Sequence, residues 1–213
     1  MRSLGLCWCL LLGACAGTPA VQPQTYVVRP EDTLYSVAWR HDLDFRDLAR
    51  WNHIGADFRI SVGEVLLLGP SAKLRAPPPA VHAATETLEH ARETYPHRWV
   101  WPTDRLAPAR AAPGGGILLS GRLGQDVRAA SGGRVVYTGS ALRGYGNLII
   151  IKHADSLLSA YGHNREMLVR DGQEVAAGQI IARMGEEAPQ QPALYFEIRR
   201  DGKPVDPLPY MPK

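Results

Sequence analysis

The chain has 213 residues, of which 45% are hydrophobic, and its formal net charge is +3 at pH 7. This composition excludes a disordered protein, and the length is sufficient for two small domains with buried cores. Its 24 basic and 21 acidic residues are nearly balanced, so we predict no nucleic-acid partner.

Residues 1–14 have the character of an export signal, with a charged start and an apolar run too short for a mature membrane-spanning helix. The run ends in Leu12-Gly13-Ala14-Cys15, which resembles a bacterial lipobox. That resemblance implies cleavage before Cys15 and acylation of this cysteine, and Ala16 after it implies an outer membrane lipoprotein facing the periplasm. The alternative, an ordinary secretory signal, would leave Cys15 as a lone thiol in an oxidising compartment.

Residues 15–24 form a short polar tether, and residues 25–69 have the pattern of a strand, two helices and a second strand. The strands are predicted at 26–29 and 65–68. We predict that Asp32 caps the first helix and that Asp44 caps the second, because aspartate is a preferred N-cap residue.

The same segment resembles a LysM module at Asp32-Thr33-Leu34, at Asn52 and at Gly63-Glu64-Val65-Leu66. The resemblance implies an α+β module that binds the N-acetylglucosamine units of peptidoglycan glycan strands, with Asp32, Thr33 and Leu34 as candidate glycan-binding residues. Trp39 and Trp51 could stack on sugars, but their helical positions favour a core or interface role.

Residues 70–97 are rich in proline and alanine and include Pro77-Pro78-Pro79. This composition is typical of a semi-stiff linker with at most one marginal helix. Its extended length, about 100 Å, would let the last domain move well away from a glycan-bound module. His82, His90 and His97 lack regular ligand spacing, so we predict no metal site in this segment.

Residues 98–213 are predicted to form a mainly β domain, with strand patterns in GRVVYTG, NLIIIKH, SLLSAYGH, EVAAGQIIARMG and LYFEIRR. This pattern indicates an antiparallel sheet folded around a groove. The unbroken apolar run Ile149–Ile151 is typical of a strand that is covered on both faces. Because side chains alternate along a strand, Tyr195 is predicted to face the groove while Phe196 and Ile198 face away.

The stretch from Gly114 to Pro207 resembles the LytM or lysostaphin type of zinc peptidase. In catalytic members, His-x-Gly-x-Asp and His-x-His hold the zinc, and these positions are Gly114, Leu118, Ala193 and Tyr195 here. Glycine, leucine and alanine side chains offer no ligand, and a phenol rarely ionises near neutral pH. We therefore expect no metal, no cofactor and no catalytic residue, although His163 of the YGHN motif is retained.

Non-catalytic members that also have a LysM module and a lipobox are murein hydrolase activators of the NlpD type, and ALYFEIRR resembles the related EnvC type. The resemblance implies that the chain activates a periplasmic N-acetylmuramoyl-L-alanine amidase, supports daughter-cell separation and is enriched at the division site. The candidate partner-binding groove residues are Tyr145, His163, Tyr195 and Arg199.

Two other functions are compatible with the sequence. The first is a passive tether that joins the outer membrane to peptidoglycan, with the last domain as a spacer. The second is an active metallo-endopeptidase that recruits other ligands, such as His153, Asp155 and His163.

Overall fold

The structure is a computed structural model that describes residues 24–70, 99–154 and 156–212. The predicted signal peptide, Cys15, most of the tether and nearly all of the predicted linker lie outside the described residues. Within the described residues, every helix is too short or too polar to cross a membrane.

The first described segment has the predicted order of strand, helix, helix, strand. Strands β1 (Thr25–Val27) and β2 (Val65–Leu67) pair antiparallel, and helices α1 (Leu34–Arg40) and α2 (Phe45–Trp51) lie between them in the chain. The apolar side chains of both helices are buried against each other and against Leu66 of β2. This confirms the predicted α+β module, although both strands are shorter than predicted.

The predicted cap of α1 is wrong by one residue, because Thr33 is the N-cap and not Asp32. The Ser36 N–H donates to Thr33 Oγ1 at 3.1 Å and the Thr33 N–H donates to Ser36 Oγ at 3.0 Å, which is a capping box. Asp32 instead accepts a hydrogen bond from Tyr26 Oη at 2.6 Å and so joins this loop to β1. The Asp44 cap of α2 is confirmed.

The second segment is built around one antiparallel sheet, whose central path runs β3-β4-β12-β8-β7-β6-β9. Its strands are β3 (Arg110–Ala111), β4 (Ile117–Ser120), β5 (Asp126–Arg128), β6 (Gly133–Gly139), β7 (Asn147–Lys152), β8 (Leu157–Met167), β9 (Glu174–Val175), β10 (Ile180–Met184), β11 (Glu186–Ala188), β12 (Gln191–Arg200) and β13 (Lys203–Val205). A turn at Gly178, with φ +82°, divides the strand pattern over 174–185 into β9 and β10.

The two faces of the sheet carry different side chains of β12. Phe196 and Ile198 lie in a buried cluster with Ile149 and Ile151, whereas Tyr195 lies on the opposite face. Ile150 belongs to a separate cluster on that opposite face. The predicted burial of the isoleucine run on both faces is therefore confirmed.

The two units share a buried cluster, because side chains of the LysM-like module pack on the groove face of the sheet. Lys203 Nζ donates to the carbonyl oxygen of Asp42 at 2.8 Å, and the guanidinium of Arg46 donates to Ser156 Oγ. The Lys152 ammonium lies 5.8 Å from the ring centroid of Phe45. The two units are therefore docked in this arrangement, and the predicted linker, on which the expected reach of the last domain depends, lies almost entirely outside the described residues.

Candidate partner-binding groove

The four positions predicted to correspond to zinc ligands, Gly114, Leu118, Ala193 and Tyr195, come together on the groove face. Leu118 of β4 lies directly opposite Tyr195 of β12, and Ala193 belongs to the same small buried cluster. A Cβ atom at Gly114 would lie 3.4 Å from Tyr195 Oη. The ring of Tyr145 contacts Tyr195 edge to face, with 5.1 Å between ring centroids. The groove thus has an apolar and aromatic floor.

The side chains at these positions do not fit a zinc ion. Gly114, Leu118 and Ala193 provide no nitrogen, oxygen or sulfur ligand. Tyr195 Oη donates a hydrogen bond to Glu197 Oε2 at 2.6 Å, and burial, together with the neighbouring Glu197 charge, raises the pKa of Tyr195. The phenolate form is therefore strongly disfavoured. Across the described ranges, no three His, Cys, Asp or Glu side chains are placed to hold a metal.

His153, suggested as an alternative metal ligand, has a structural environment. Its ring is 1% exposed, Nδ1 lies 2.7 Å from the carbonyl oxygen of Gly132, and Nε2 lies 2.7 Å from Ser159 Oγ. Both ring nitrogens are thus occupied by protein atoms. Asp155, the other suggested ligand, lies outside the described residues.

His163 lies beside the groove floor, with its ring centroid 6.0 Å from that of Tyr195. Its backbone has φ 58°, a left-handed conformation that is uncommon for a non-glycine residue. The His163 N–H donates to the carbonyl oxygen of Tyr145 at 2.7 Å, and its own carbonyl accepts from Gly185 at 2.8 Å. Burial lowers the pKa of His163, which favours the neutral imidazole.

Arg199 lies on the groove face of β12, but the LysM-like module covers it, leaving it 3% exposed. Its guanidinium stacks on the Trp39 ring, with Cζ 3.8 Å from the ring centroid, and Nη1 donates to the Trp39 carbonyl oxygen at 2.9 Å. Nη1 also lies 3.0 Å from Asp42 Oδ1. Arg199 is therefore not a solvated surface charge, and it can contact a partner only if the module moves.

Glu197 is a structural acceptor that lies between Tyr195 and Arg199 on β12. Its side chain is fully buried, and its second oxygen, Oε1, accepts from Arg199 Nε at 2.7 Å. Burial raises the pKa of Glu197, while the Arg199 charge acts in the opposite direction. Tyr195, Glu197 and Arg199 therefore form a hydrogen-bonded ladder along the strand where catalytic relatives have a metal ligand.

A cavity of about 630 Å³ lies between the module and the sheet. Among the described residues that line it, Asp42 alone carries a carboxylate, whereas five side chains are cationic. The cationic and aromatic lining residues are Arg29, Arg40, Arg143, Arg199, Lys203, Trp39 and Tyr145. The sequence did not identify this cavity, because Trp39 and Arg199 are 160 residues apart and neither motif indicates the other.

The candidate glycan-binding residues of the module do not all reach solvent. Leu34 is fully buried, and the Asp32 side chain is 1% exposed and pairs with Arg40 at 3.1 Å. The prediction of direct sugar contact is therefore wrong for these two side chains, because Leu34 belongs to the core and Asp32 holds the loop in place. Thr33 is partly exposed, and its hydroxyl caps α1.

The chain matches two family descriptions and several curated proteins. Residues 26–69 match the LysM domain and residues 113–207 match Peptidase family M23.

A lipoprotein NlpD/LppB homolog of Pseudomonas aeruginosa is 39% identical over 99% of this chain and 91% of its own length. The murein hydrolase activator NlpD of Escherichia coli is 36% identical over 89% of this chain and 68% of its own length. The uncharacterized lipoprotein YgeR of the same species is 37% identical over 95% and 89%. The chain belongs to the NlpD family of lipoproteins and murein hydrolase activators.

Proposed function

We propose that the protein is a non-catalytic activator of a periplasmic N-acetylmuramoyl-L-alanine amidase. In this function the groove binds a segment of the amidase that restrains its activity, and the amidase then opens its own active site to peptidoglycan. The protein supplies binding free energy and breaks no bond itself.

The observation that carries this proposal is the groove floor. At the positions that the family resemblance assigns to zinc ligands, the groove floor carries apolar side chains and the Tyr195–Glu197 hydrogen bond. A groove lined by aromatic and arginine side chains is suited to binding another polypeptide, because these residue types dominate the binding free energy of protein interfaces. The related chains named murein hydrolase activators support the same function.

The free energy required is within reach of such a groove. Changing a partner from about 1% to about 99% active requires about 5.5 kcal/mol of differential affinity. A few well-packed anchor residues, each contributing about 2 kcal/mol or more, provide this amount. Tyr145, His163 and Tyr195 are the proposed anchors at the groove floor, and Arg199 joins them when the LysM module moves.

Two other parts of the chain, the lipid anchor and the LysM module, would hold the protein at its site of action. Acylation of Cys15 would anchor the chain in the outer membrane facing the periplasm, since several acyl chains give stable anchoring where one does not. The LysM module would hold peptidoglycan glycan strands close to the groove. Together with amidase activation, these contacts would support peptidoglycan hydrolysis and cell separation at the division site.

A dye-release assay on purified peptidoglycan tests the proposal, with each amidase of the source bacterium measured alone and together with this protein. We expect synergy with at least one amidase. A Tyr145→Ala variant should lose most of it, because the ring that contacts Tyr195 is removed. Leu123→Ala, at an exposed apolar position outside the groove floor, is the control and should keep it. Absence of synergy with every amidase would refute the proposal and favour a passive tether.

A further inference from the structure

The end of α1 and the turn that follows it, residues 39–43, lie at one end of the groove and are here called the LysM corner. Its contacts to the sheet include the stack of Trp39 on Arg199, the Arg199–Asp42 ion pair and the bond from Lys203 to the Asp42 carbonyl. Trp39 also contacts Tyr145 edge to face, with 6.4 Å between centroids. The corner therefore touches two of the proposed partner-binding residues directly.

The sheet surface beneath the corner would expose apolar side chains to water if the module left. Ile150, Leu158 and Ala160 lie on this face and are buried in one cluster with side chains of the LysM module. Removing the module would expose these apolar side chains and the Arg199 guanidinium together. An apolar patch beside a cation is a typical protein-binding surface, so another polypeptide must replace the module if it leaves.

We propose that the LysM corner is an internal occupant of the amidase-binding site, and that the segment of the amidase that displaces it presents an aromatic side chain next to a carboxylate. This proposal rests on the proposed function. It also defines two states of the protein, one with the corner docked and one with the partner segment in its place.

The charges around the cavity indicate that the partner segment is acidic. Arg143 and Lys203 line the cavity, are exposed, and have no ion-pair partner among the described carboxylates. Asp42 is the one carboxylate that the docked corner offers to this group of cations. A partner carboxylate in the same place would meet Arg199 and Lys203, and a second one would reach Arg143, so an acidic segment competes well with the corner.

The docked state also contains features that make exchange possible. Trp39 Nε1 is buried and has no hydrogen-bond partner among the described protein atoms, which costs free energy. The Asp42 side chain is 63% exposed, so its ion pair with Arg199 is partly screened by solvent. These features weaken the docked state relative to a fully satisfied interface and let a better-matched partner displace the corner.

A buried thiol beneath the module measures undocking without any amidase. Ala160→Cys, in a chain whose Cys7, Cys9 and Cys15 are serine, should react with a maleimide only when the module has left, because Ala160 is fully buried in the cluster that the module shares with the sheet. Adding Asp42→Lys should speed this reaction about fivefold, since a lysine there faces Arg199 and Lys203 and destabilises the docked state. Asp57→Lys is the matched control, because Asp57 is also on the LysM module and is 65% exposed, and should have no effect.

Two further measurements test the partner's chemistry and the competition. A lactam-stapled peptide copying residues 34–44 should bind the Asp42→Lys protein about fivefold more tightly than the wild type, because the site is more often open. A copy carrying alanine for Trp39 and lysine for Asp42 should not bind. The double variant Arg46→Cys with Ser156→Cys, locked by a reducible bis-thiosulfonate crosslinker of about the length of the arginine side chain, should lose amidase stimulation and recover it after reduction.

The outcomes separate this proposal from the proposed function. Equal maleimide reaction with and without Asp42→Lys would overturn the docked corner, and full amidase stimulation by the crosslinked protein would overturn the competition. Equal binding of both peptides would overturn the aromatic and acidic partner chemistry. If no form of the protein stimulates any amidase, while the thiol reaction and the peptides behave as expected, the proposed function fails and the corner remains the occupant of a peptide-binding site of another kind.

Discussion

Replacing Arg199 by methionine should destabilise the protein far more than replacing the next residue, Arg200. Arg199 is 3% exposed and its partner Glu197 is fully buried, so removal of the guanidinium leaves a buried carboxylate without its counter-charge. Breaking a buried ion pair on one side costs about 3–5 kcal/mol. Arg200 is exposed, and Arg200→Met should change the free energy of unfolding by less than about 0.5 kcal/mol.

The double variant Arg199→Met with Glu197→Gln tests the reason for this loss. If the uncompensated carboxylate causes it, neutralising Glu197 should recover about half or more of the lost free energy. The free energies come from urea denaturation at pH 7, followed by tryptophan fluorescence. A loss below about 1 kcal/mol for the single variant, or no recovery in the double variant, would refute the buried-pair account.

The pH dependence gives the same test a second readout. Burial already raises the pKa of Glu197, and loss of Arg199 removes a charge that lowers it, so the pKa should rise further in Arg199→Met. A carboxyl with a folded pKa above its unfolded value contributes stability that is present below the unfolded pKa and is lost as pH rises through the folded pKa. The deficit of Arg199→Met relative to wild type should therefore shrink as pH falls towards the ordinary glutamate value of 4.5.

Three other predictions concern stability. Thr33→Ala removes the capping box of α1 and should cost about 1 kcal/mol in urea denaturation, whereas a change below about 0.3 kcal/mol would contradict the cap. Tyr161→Phe leaves the buried N–H of Ala130 without its acceptor, so unfolding should become easier by about 1–3 kcal/mol, and an unchanged midpoint would refute that role. Burial lowers the pKa of His41 and His163 from 6.5, so their contribution is full above that pH and is lost as pH falls below it. Thermal denaturation between pH 7 and pH 5 should show this loss, and a flat profile would contradict it.

Much of the fold could be predicted because it depends on local patterns. The alternation along β12 places Tyr195 and Phe196 on opposite faces, and the isoleucine run of β7 indicates a strand covered on both sides. The predicted cap of α1 is wrong by one residue, because Asp32 and Thr33 are both good N-cap residues and only the backbone decides which one begins the helix.

The candidate site could be predicted only in part. The positions of Leu118, Ala193 and Tyr195 followed from the spacing of the peptidase motifs, and the structure brings them together. The cover on Arg199 could not be predicted, because it depends on the packing of two units that are far apart in the chain. Local patterns describe each unit by itself, and nothing in either one specifies that Trp39 stacks on Arg199.

The groove is proposed to act by binding a polypeptide and not by metal-dependent hydrolysis. The most direct test is dye release from purified peptidoglycan by the purified protein alone, supplied with Zn²⁺ and with no amidase present. We predict no release above the buffer blank, because Gly114, Leu118 and Ala193 offer no ligand and Tyr195 is hydrogen-bonded to Glu197. Sustained release that depends on the amount of protein and is abolished by a chelator would contradict the account.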